Sequence, residues 1–523
     1  MITKKYKVTV YRSDKEICSF YEDEGKKLLD ILQDHDIHIF ASCGGRGMCG
    51  KCKVKVTSGN ITPGYEDRQF FDEGKIAEGW RLACKDVLTD DCILDVQESF
   101  QDEFEVLASD ISGTESPEKT ETFTYGIIAD IGTTTLAMQR ICFQTGQIEK
   151  TYTAVNRQCS YGADVLTRIQ ASVDGRGKRL QQLIQKDLLK GLNNLTDKGK
   201  IHVQEMLIGA NTTMVHLLMG FSCESLGKYP FWSEHLNVIK GNAEEILGTC
   251  TEFQEMKITI CPGISAFVGG DIVSGIYMTE LYKKEKYSIF LDLGTNGEIA
   301  VGNKEKIFTG SVAAGPAFEG GRIVCGTGSI PGALCGAEMQ NGKLKIKTIM
   351  DKPVTGICGT GALELVRELH KEGIIDNTGL MISTGFEEGI FLGMNTQFQP
   401  VRFYQEDVRE IQLAKSAICS GIEVMLKKAG ISPDEIDTFY IAGGFGYKLD
   451  LSKAVQIGVF PKILEKNVCS VGNSCLFGLK KCMLDHHGTE EMEKLIKLCE
   501  EVQLSLEPEF SDLFMKRMSF TEV

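Results

Sequence analysis

Two stretches of this chain repeat each other. Residues 125–137 read YGIIADIGTTTLA, and residues 287–300 read YSIFLDLGTNGEIA. Each is an apolar, strand-like run that ends in Asp, turns at Gly-Thr and continues as a second strand-like run. Asp130 and Asp292 stand 162 residues apart. A repeat at that distance predicts two similar α/β subdomains facing each other. The residue types also carry a chemistry. Asp at a strand end holds Mg²⁺, usually through water, because Mg²⁺ gives up its hydration shell reluctantly. Gly132 and Gly294 permit a tight hairpin. Thr133, Thr134 and Thr135 in one copy, with Thr295 and Asn296 in the other, offer hydroxyl, amide and backbone donors to phosphate oxygens. One Asp-x-Gly-Thr is a weak signal, since any strand-to-turn junction can produce it. Two with matched flanks are much stronger.

A third segment, FYIAGGFG at residues 439–446, is an apolar strand running into Gly443 and Gly444. Bare glycines let a flat adenine or ribose lie against the backbone. Together the three segments resemble the acetate and sugar kinase, Hsp70 and actin superfamily. The resemblance implies ATP in a cleft between two RNase-H-like subdomains, with phosphates at Asp130 and Asp292 and adenosine at Gly443. Other segments fit that cleft less specifically. In MLIGANTTMVHLL (206–218), Asn211 and Thr212 open a helix. Asn211 there is either a phosphate contact or a helix cap. In GICGTGALELV (356–366), Gly359 opens a helix that is either an anion site or a tight strand-to-helix turn. In AAGPAFEGGRI (313–323), Glu319 is a carboxylate amid glycines, placed either to orient a water molecule or to cap.

The N-terminal part is organised around cysteines. FASCGGRGMCGKC (40–52) and GWRLAC (79–84) give the spacing Cys43-x5-Cys49-x2-Cys52-x31-Cys84. From Gly45 the loop also reads as a phosphate-loop pattern, but Cys52 stands where Ser or Thr should reach magnesium, and no strong strand precedes it. Three thiolates on one Gly-rich loop and a fourth from a distant segment can surround two irons bridged by two sulfides. A zinc knuckle is the alternative, yet zinc usually takes two paired Cys-x2-Cys clusters. Tyr6–Tyr11 and Lys51–Val56 alternate as strands, Ile93–Val96 makes a last strand, and Lys26–Leu32 has helical spacing. Residues 4–98 resemble a [2Fe–2S] ferredoxin of the β-grasp type. The first gap of five departs from the plant-type four, but five also occurs in ferredoxins of the adrenodoxin kind. The remaining thiols among nineteen cysteines are expected in the core or reduced, because disulfide frameworks belong to short secreted domains.

Between these parts, QESFQDEFEVLASDISGTESPEKTET (97–122) carries eight acidic residues and one lysine. It reads as a tether or as a loop packed on its neighbour. The expected divisions are a ferredoxin-type domain at 1–98, an acidic linker at 99–124, and ATPase subdomains at 125–285 and 286–523. The net charge of −15 argues against a nucleic-acid partner. No apolar run is long enough for a membrane span or signal peptide, so a cytoplasmic protein is expected.

A ferredoxin domain joined to this ATPase type is unusual. GPAFEGG, GICGTG, IAGGFG and GNSCLFG complete a resemblance, over nearly the whole chain, to the reductive activators of corrinoid proteins. That resemblance implies a homodimer that takes an electron from a low-potential donor. With ATP, Mg²⁺ and a [2Fe–2S] cluster, it returns the Co(II) corrinoid of a methyltransferase or O-demethylase partner to Co(I). The implied ligands of the cluster are Cys43, Cys49, Cys52 and Cys84, and the implied catalytic carboxylates are Asp130, Asp292 and Glu319. Two other readings compete: an ATP-gated electron donor to a different low-potential enzyme, and a regulatory iron–sulfur and nucleotide-binding scaffold.

Overall fold

The computed structural model describes residues 4–12, 14–96, 123–248, 252–382, 385–396, 398–443, 450–485 and 487–521. Gly444 and all but the last two residues of the 99–124 linker lie outside them. The first part is a five-stranded sheet in the order Lys15–Asp23, Lys5–Arg12, Cys92–Asp95, Lys53–Ser58, Trp80–Leu82. Its first and last strands in the chain run parallel and adjacent, and the other neighbours pair antiparallel. Tyr6, Val8 and Val10 alternate inward, in one core with Leu28, Leu29, Ile31 and Leu32 of the helix Leu28–Asp34. This is the β-grasp arrangement. The strand Lys15–Asp23 has a weak sequence signature because its inner face, at Cys18 and Phe20, is only half-buried.

Each copy of the repeat opens a six-stranded sheet. In the first, Tyr125–Ile131, Thr135–Cys142 and Ile148–Val155 form an antiparallel meander. Val203–Ala210 and then Lys257–Ile260 join in parallel on the other side of the first strand. The second sheet has the same plan. Ser288–Leu293, Gly297–Gly302 and Ile307–Val312 form the meander, and Thr438–Ala442 and Val468–Gly472 follow in parallel. The two differ in the sixth strand: Ile239–Asn242 adds at the parallel edge of the first sheet, Cys499–Glu501 at the meander edge of the second. Strands enclosed on both faces read as continuous apolar runs, as IIA and SIFL do. These are two RNase-H-like subdomains, or lobes.

Helices Gly270–Thr279 and Ser474–Leu484, one from each lobe, cross closely. A Cβ at Gly478 would stand 2.0 Å from the Ser274 carbonyl oxygen. They share one core with Ile128 and Ala137 of the first sheet and Phe290 and Ala300 of the second. Their first turns are thereby held at the inner ends of both hairpins. Among the described residues, no helix is long and apolar enough to cross a membrane.

Candidate functional site

The two Asp-Gly-Thr hairpins meet at one carboxylate. Glu319 Oε2 accepts a hydrogen bond from Thr134 Oγ1 at 3.2 Å and another from Thr295 Oγ1 at 2.9 Å. The turns close through Gly132 N–H to the Thr135 carbonyl (2.9 Å) and Gly294 N–H to the Asn296 carbonyl (3.0 Å). They are not identical. Ile131 pairs with Leu136 but Leu293 pairs with Gly297, so the second turn is one residue shorter. In consequence Ala137 stands opposite Asp130, whereas Glu298 stands opposite Asp292.

Asp130, Asp271, Asp292, Glu298 and Glu319 are all half-buried here. Burial, then repulsion from Asp271 and Asp130, pushes the Asp292 carboxyl up to about 8. Burial and Asp130 push Asp271 to about 7. Glu298 is driven well above the carboxylate range by burial and by Asp271 and Asp292. Hydrogen bonds come from the N-terminal end of one crossing helix, Ser474–Leu484: Asn473 Nδ2 donates to Asp130 Oδ2 at 2.8 Å, and Ser474 Oγ donates to Asp292 Oδ2 at 3.5 Å. Carboxylates gathered this way fit a divalent cation. Among the described residues, no three His, Cys, Asp or Glu side chains are arranged to ligate one ion directly.

The pH dependence follows from those shifts. In the folded, cation-free chain Asp271 and Asp292 keep protons that the unfolded chain has lost. The unfolded state therefore binds fewer protons between about pH 4 and about pH 8, and stability falls as pH rises through that window. A divalent cation displaces those protons, so its stabilisation grows with pH. Thermal unfolding with and without Mg²⁺ should show a larger gain in Tm at about pH 8 than at about pH 6. Equal gains would remove these carboxylates from the cation site.

The other expected residues divide. Asn211 is the helix cap: Oδ1 caps the helix Thr212–Met219 by accepting from Met214 N–H at 2.9 Å, while Nδ2 donates to Thr133 Oγ1 of the first hairpin at 3.2 Å. Thr212 turns its hydroxyl away, to the Ser265 carbonyl at 2.6 Å. Gly359 is there for close packing, since a Cβ would lie 1.8 Å from the Phe318 carbonyl oxygen. It lets the helix Gly359–Lys371 press against the short turn Pro316–Glu319 and so supports Glu319 from behind. Gly443 has φ +92°, and a Cβ there would meet Asp292 Oδ1 at 2.9 Å, so only glycine lets the third strand end beside the second hairpin.

The cysteine loop brings four thiols together in two pairs. Cys43 Sγ and Cys49 Sγ are 3.4 Å apart, and the Cys52 thiol hydrogen-bonds to Cys84. Gly44, Gly45, Gly47 and Gly50 all have positive φ, which curls the loop so that amides face sulfur. Cys43 accepts from the Cys49 thiol and from the N–H groups of Met48, Cys49 and Arg46, which hold it down at about 4. Cys84 accepts from the Cys52 thiol and from Gly47 N–H, and is likewise lowered. Two thiol pairs with amide donors fit two irons with two protein ligands each. One tetrahedral zinc would need all four about a single point.

Residues 125–284 match the RACo middle region, and residues 286–523 match the C-terminal domain of RACo, the ASKHA domain. Residues 12–88 match the 2Fe-2S iron-sulfur cluster binding domain. The chain belongs to the RACo family. Corrinoid activation enzyme RamQ of Eubacterium limosum is 28% identical over 433 residues, spanning 76% of this RACo-family chain and 70% of its own length. The [Co(II) methylated amine-specific corrinoid protein] reductase of Methanosarcina barkeri is 22% identical over 437 residues, 76% of this chain and 77% of its own. Among solved structures, a reductive activator for corrinoid,iron-sulfur protein superposes with a TM-score of 0.69 at 24% identity. It covers 99% of this RACo-family chain and 98% of its own length, and thereby shares the whole fold.

Four groups at the cleft are not among the expected site residues: Asp271, Glu298 within the second repeat, and Asn473 and Ser474 within GNSCLFG. The signals were faint. Asp271 follows GG at a helix start, and Asn473-Ser474 follows a strand as an N-cap pair.

Proposed function

We propose that this chain is an ATP-dependent reductive activator. It passes one electron from a [2Fe–2S] cluster on Cys43, Cys49, Cys52 and Cys84 to the Co(II) corrinoid of a methyltransferase or O-demethylase corrinoid protein, restoring Co(I). The observation that carries this reading is the presence, in one RACo-family chain, of paired amide-solvated thiols and of two Asp-Gly-Thr hairpins meeting at Glu319. Names of two relatives, a corrinoid activation enzyme and a corrinoid protein reductase, support the choice of acceptor.

The bound cluster supplies a one-electron carrier, which a low-potential donor refills. The protein's own residues do the rest. Asp130 and Asp292 are the residues that would hold Mg²⁺, and Thr133, Thr134, Thr135, Thr295 and Asn296 would donate to the phosphates. Gly443 and Gly444 receive the adenosine. Glu319 exchanges its two threonine donors for a water molecule and orients it for attack on the terminal phosphate. The electron moves uphill, each 59 mV of gap being a factor of ten. ATP offsets that gap by binding one arrangement of the lobes better than the other. In this reading the acidic segment is a tether for the ferredoxin-type domain, two copies form a homodimer, and the protein works in the cytoplasm.

The test is a mixture of the reduced protein with a Co(II) corrinoid protein, followed by the Co(I) absorption band with and without Mg-ATP. Co(I) that depends on ATP supports the activator. ATP hydrolysis with no Co(I) from several corrinoid partners points to another electron acceptor, and a cluster that never transfers an electron points to a regulatory scaffold. Glu319→Gln should keep nucleotide affinity and lower hydrolysis about 10²-fold or more, the size expected for a group that orients water. Unchanged turnover would take Glu319 out of the chemistry.

A further inference from the structure

One short segment, Asn156 to Arg168, touches both candidate sites. On its inner side Asn156 N–H donates to the Thr134 carbonyl at 2.9 Å, and Asn156 Nδ2 donates to the Gly132 carbonyl at 2.9 Å. Arg168, fully buried, donates through Nη2 to the Thr133 carbonyl and through Nε to the Gly162 carbonyl at 2.9 Å. The first hairpin is therefore held by its backbone. On the outer side Ala163 N–H donates to the carbonyl of Ser42, the neighbour of Cys43, at 3.1 Å. Gly44, on the other side of Cys43, faces Thr167 so closely that a Cβ would come within 2.6 Å of its methyl carbon. Ion pairs of Arg176 with Asp30 (2.9 Å) and of Lys186 with Asp36 (3.0 Å) fasten the same faces together.

The guanidinium of Arg168 hydrogen-bonds to carbonyl and amide oxygens, while the carboxylates of Asp164 and Glu319 act on it only through space. A buried cation without a bonded counter-ion is unfavourable, and a polyphosphate arriving at the first hairpin relieves it. Any resulting shift of the hairpin moves a segment whose outer face flanks Cys43. The amides that face the Cys43 sulfur belong to the loop so displaced, and hydrogen bonds to sulfur tune cluster potentials.

We propose that Arg168 is a positioning residue that ties occupancy of the nucleotide site to the cysteine loop, so that nucleotide binding changes the reduction potential of the cluster through the Asn156–Arg168 segment. This rests on the reading of the loop as the cluster site and the cleft as the nucleotide site. The effect is reciprocal: reduction changes nucleotide affinity by the same factor. A tenfold difference in Kd between oxidised and reduced protein corresponds to 59 mV.

The test uses the full chain with its cluster, titrated potentiometrically by electron paramagnetic resonance with and without a non-hydrolysable Mg-ATP analogue. Kd for the analogue is measured in both redox states. The native protein should show a shift in potential and a matching ratio of Kd values. Arg168→Lys should lose the shift. Thr167→Ser should lose it too, although its hydroxyl can still bond Asp164 as the native one does at 2.8 Å, because only the methyl facing Gly44 is removed. The serine variant keeps the proposal falsifiable if the lysine variant fails to fold. No shift in a protein that holds its cluster and binds the analogue overturns the inference and leaves the activator reading standing. A shift that persists in Thr167→Ser overturns the route through Gly44. A protein that forms no cluster or binds no nucleotide contradicts the activator reading itself, and this inference falls with it.

Discussion

Cys84→Ser is expected to leave a folded, nucleotide-binding protein with no [2Fe–2S] signal and no capacity to make Co(I). Cys84 is 1% exposed and comes from a segment distant in sequence from the loop that carries the other three. Its sulfur accepts from the Cys52 thiol and from Gly47 N–H. Serine there removes a thiolate that, in the proposed reading, would be a ligand of the cluster, while changing the volume little. The fold should bear the change, since an unpartnered buried hydroxyl costs about 1–3 kcal/mol. Iron content, visible absorption and paramagnetic resonance should all fall to background. Cys92→Ser is the control: Cys92 is buried in the strand Cys92–Asp95 and should leave the spectrum intact. A Cys84→Ser protein with a full iron complement would mean the ligand set is wrong.

Asp292→Asn should produce the second large effect, with opposite signs in activity and stability. If Asp292 holds Mg²⁺ as proposed, removing its charge weakens charge stabilisation at the phosphates by several kcal/mol, and ATP hydrolysis should fall about 10²-fold or more. Yet Asp292 is crowded by Asp271 and Asp130, with Glu319 adding to the repulsion. An amide cannot ionise, so the cation-free variant escapes that repulsion and should unfold at a higher temperature than the native chain near neutral pH. Functional groups held against their own preference commonly show this exchange of stability for activity. Asp130→Asn should resemble it in hydrolysis with a smaller gain in Tm, because the Asn473 amide already donates to Asp130. A destabilised Asp292→Asn chain would mean that the carboxylates are not in conflict.

The fold class was legible because its periodicities are strong. The doubled strand–Asp–Gly–Thr run places Asp130 and Asp292 on equivalent hairpins, and the Cys-x5-Cys-x2-Cys loop needs a compact domain to bring Cys84 to it. Less visible is whatever depends on two distant elements arriving together. Glu298 joins Asp292 only because the second turn is one residue shorter than the first. Asp271, Asn473 and Ser474 come from helices that cross between the lobes, and a crossing leaves no local period. Gly359 looked equally suited to an anion site and to a tight strand-to-helix turn, and only the fold shows the Phe318 carbonyl that leaves no room for a side chain there. Arg168 reads as an ordinary helix residue until its burial beneath the first hairpin is seen.

The most direct measurement of the central claim is a single turnover. Protein reduced at its cluster, freed of reductant and mixed with excess Co(II) corrinoid protein, has one electron per chain to give. With Mg-ATP the account predicts Co(I) rising toward one per chain while the cluster signal disappears at the same rate. Without nucleotide both should stay put. Co(I) formed equally without ATP, or ATP hydrolysed while the cluster stays reduced, would contradict the coupling of the cleft to the electron.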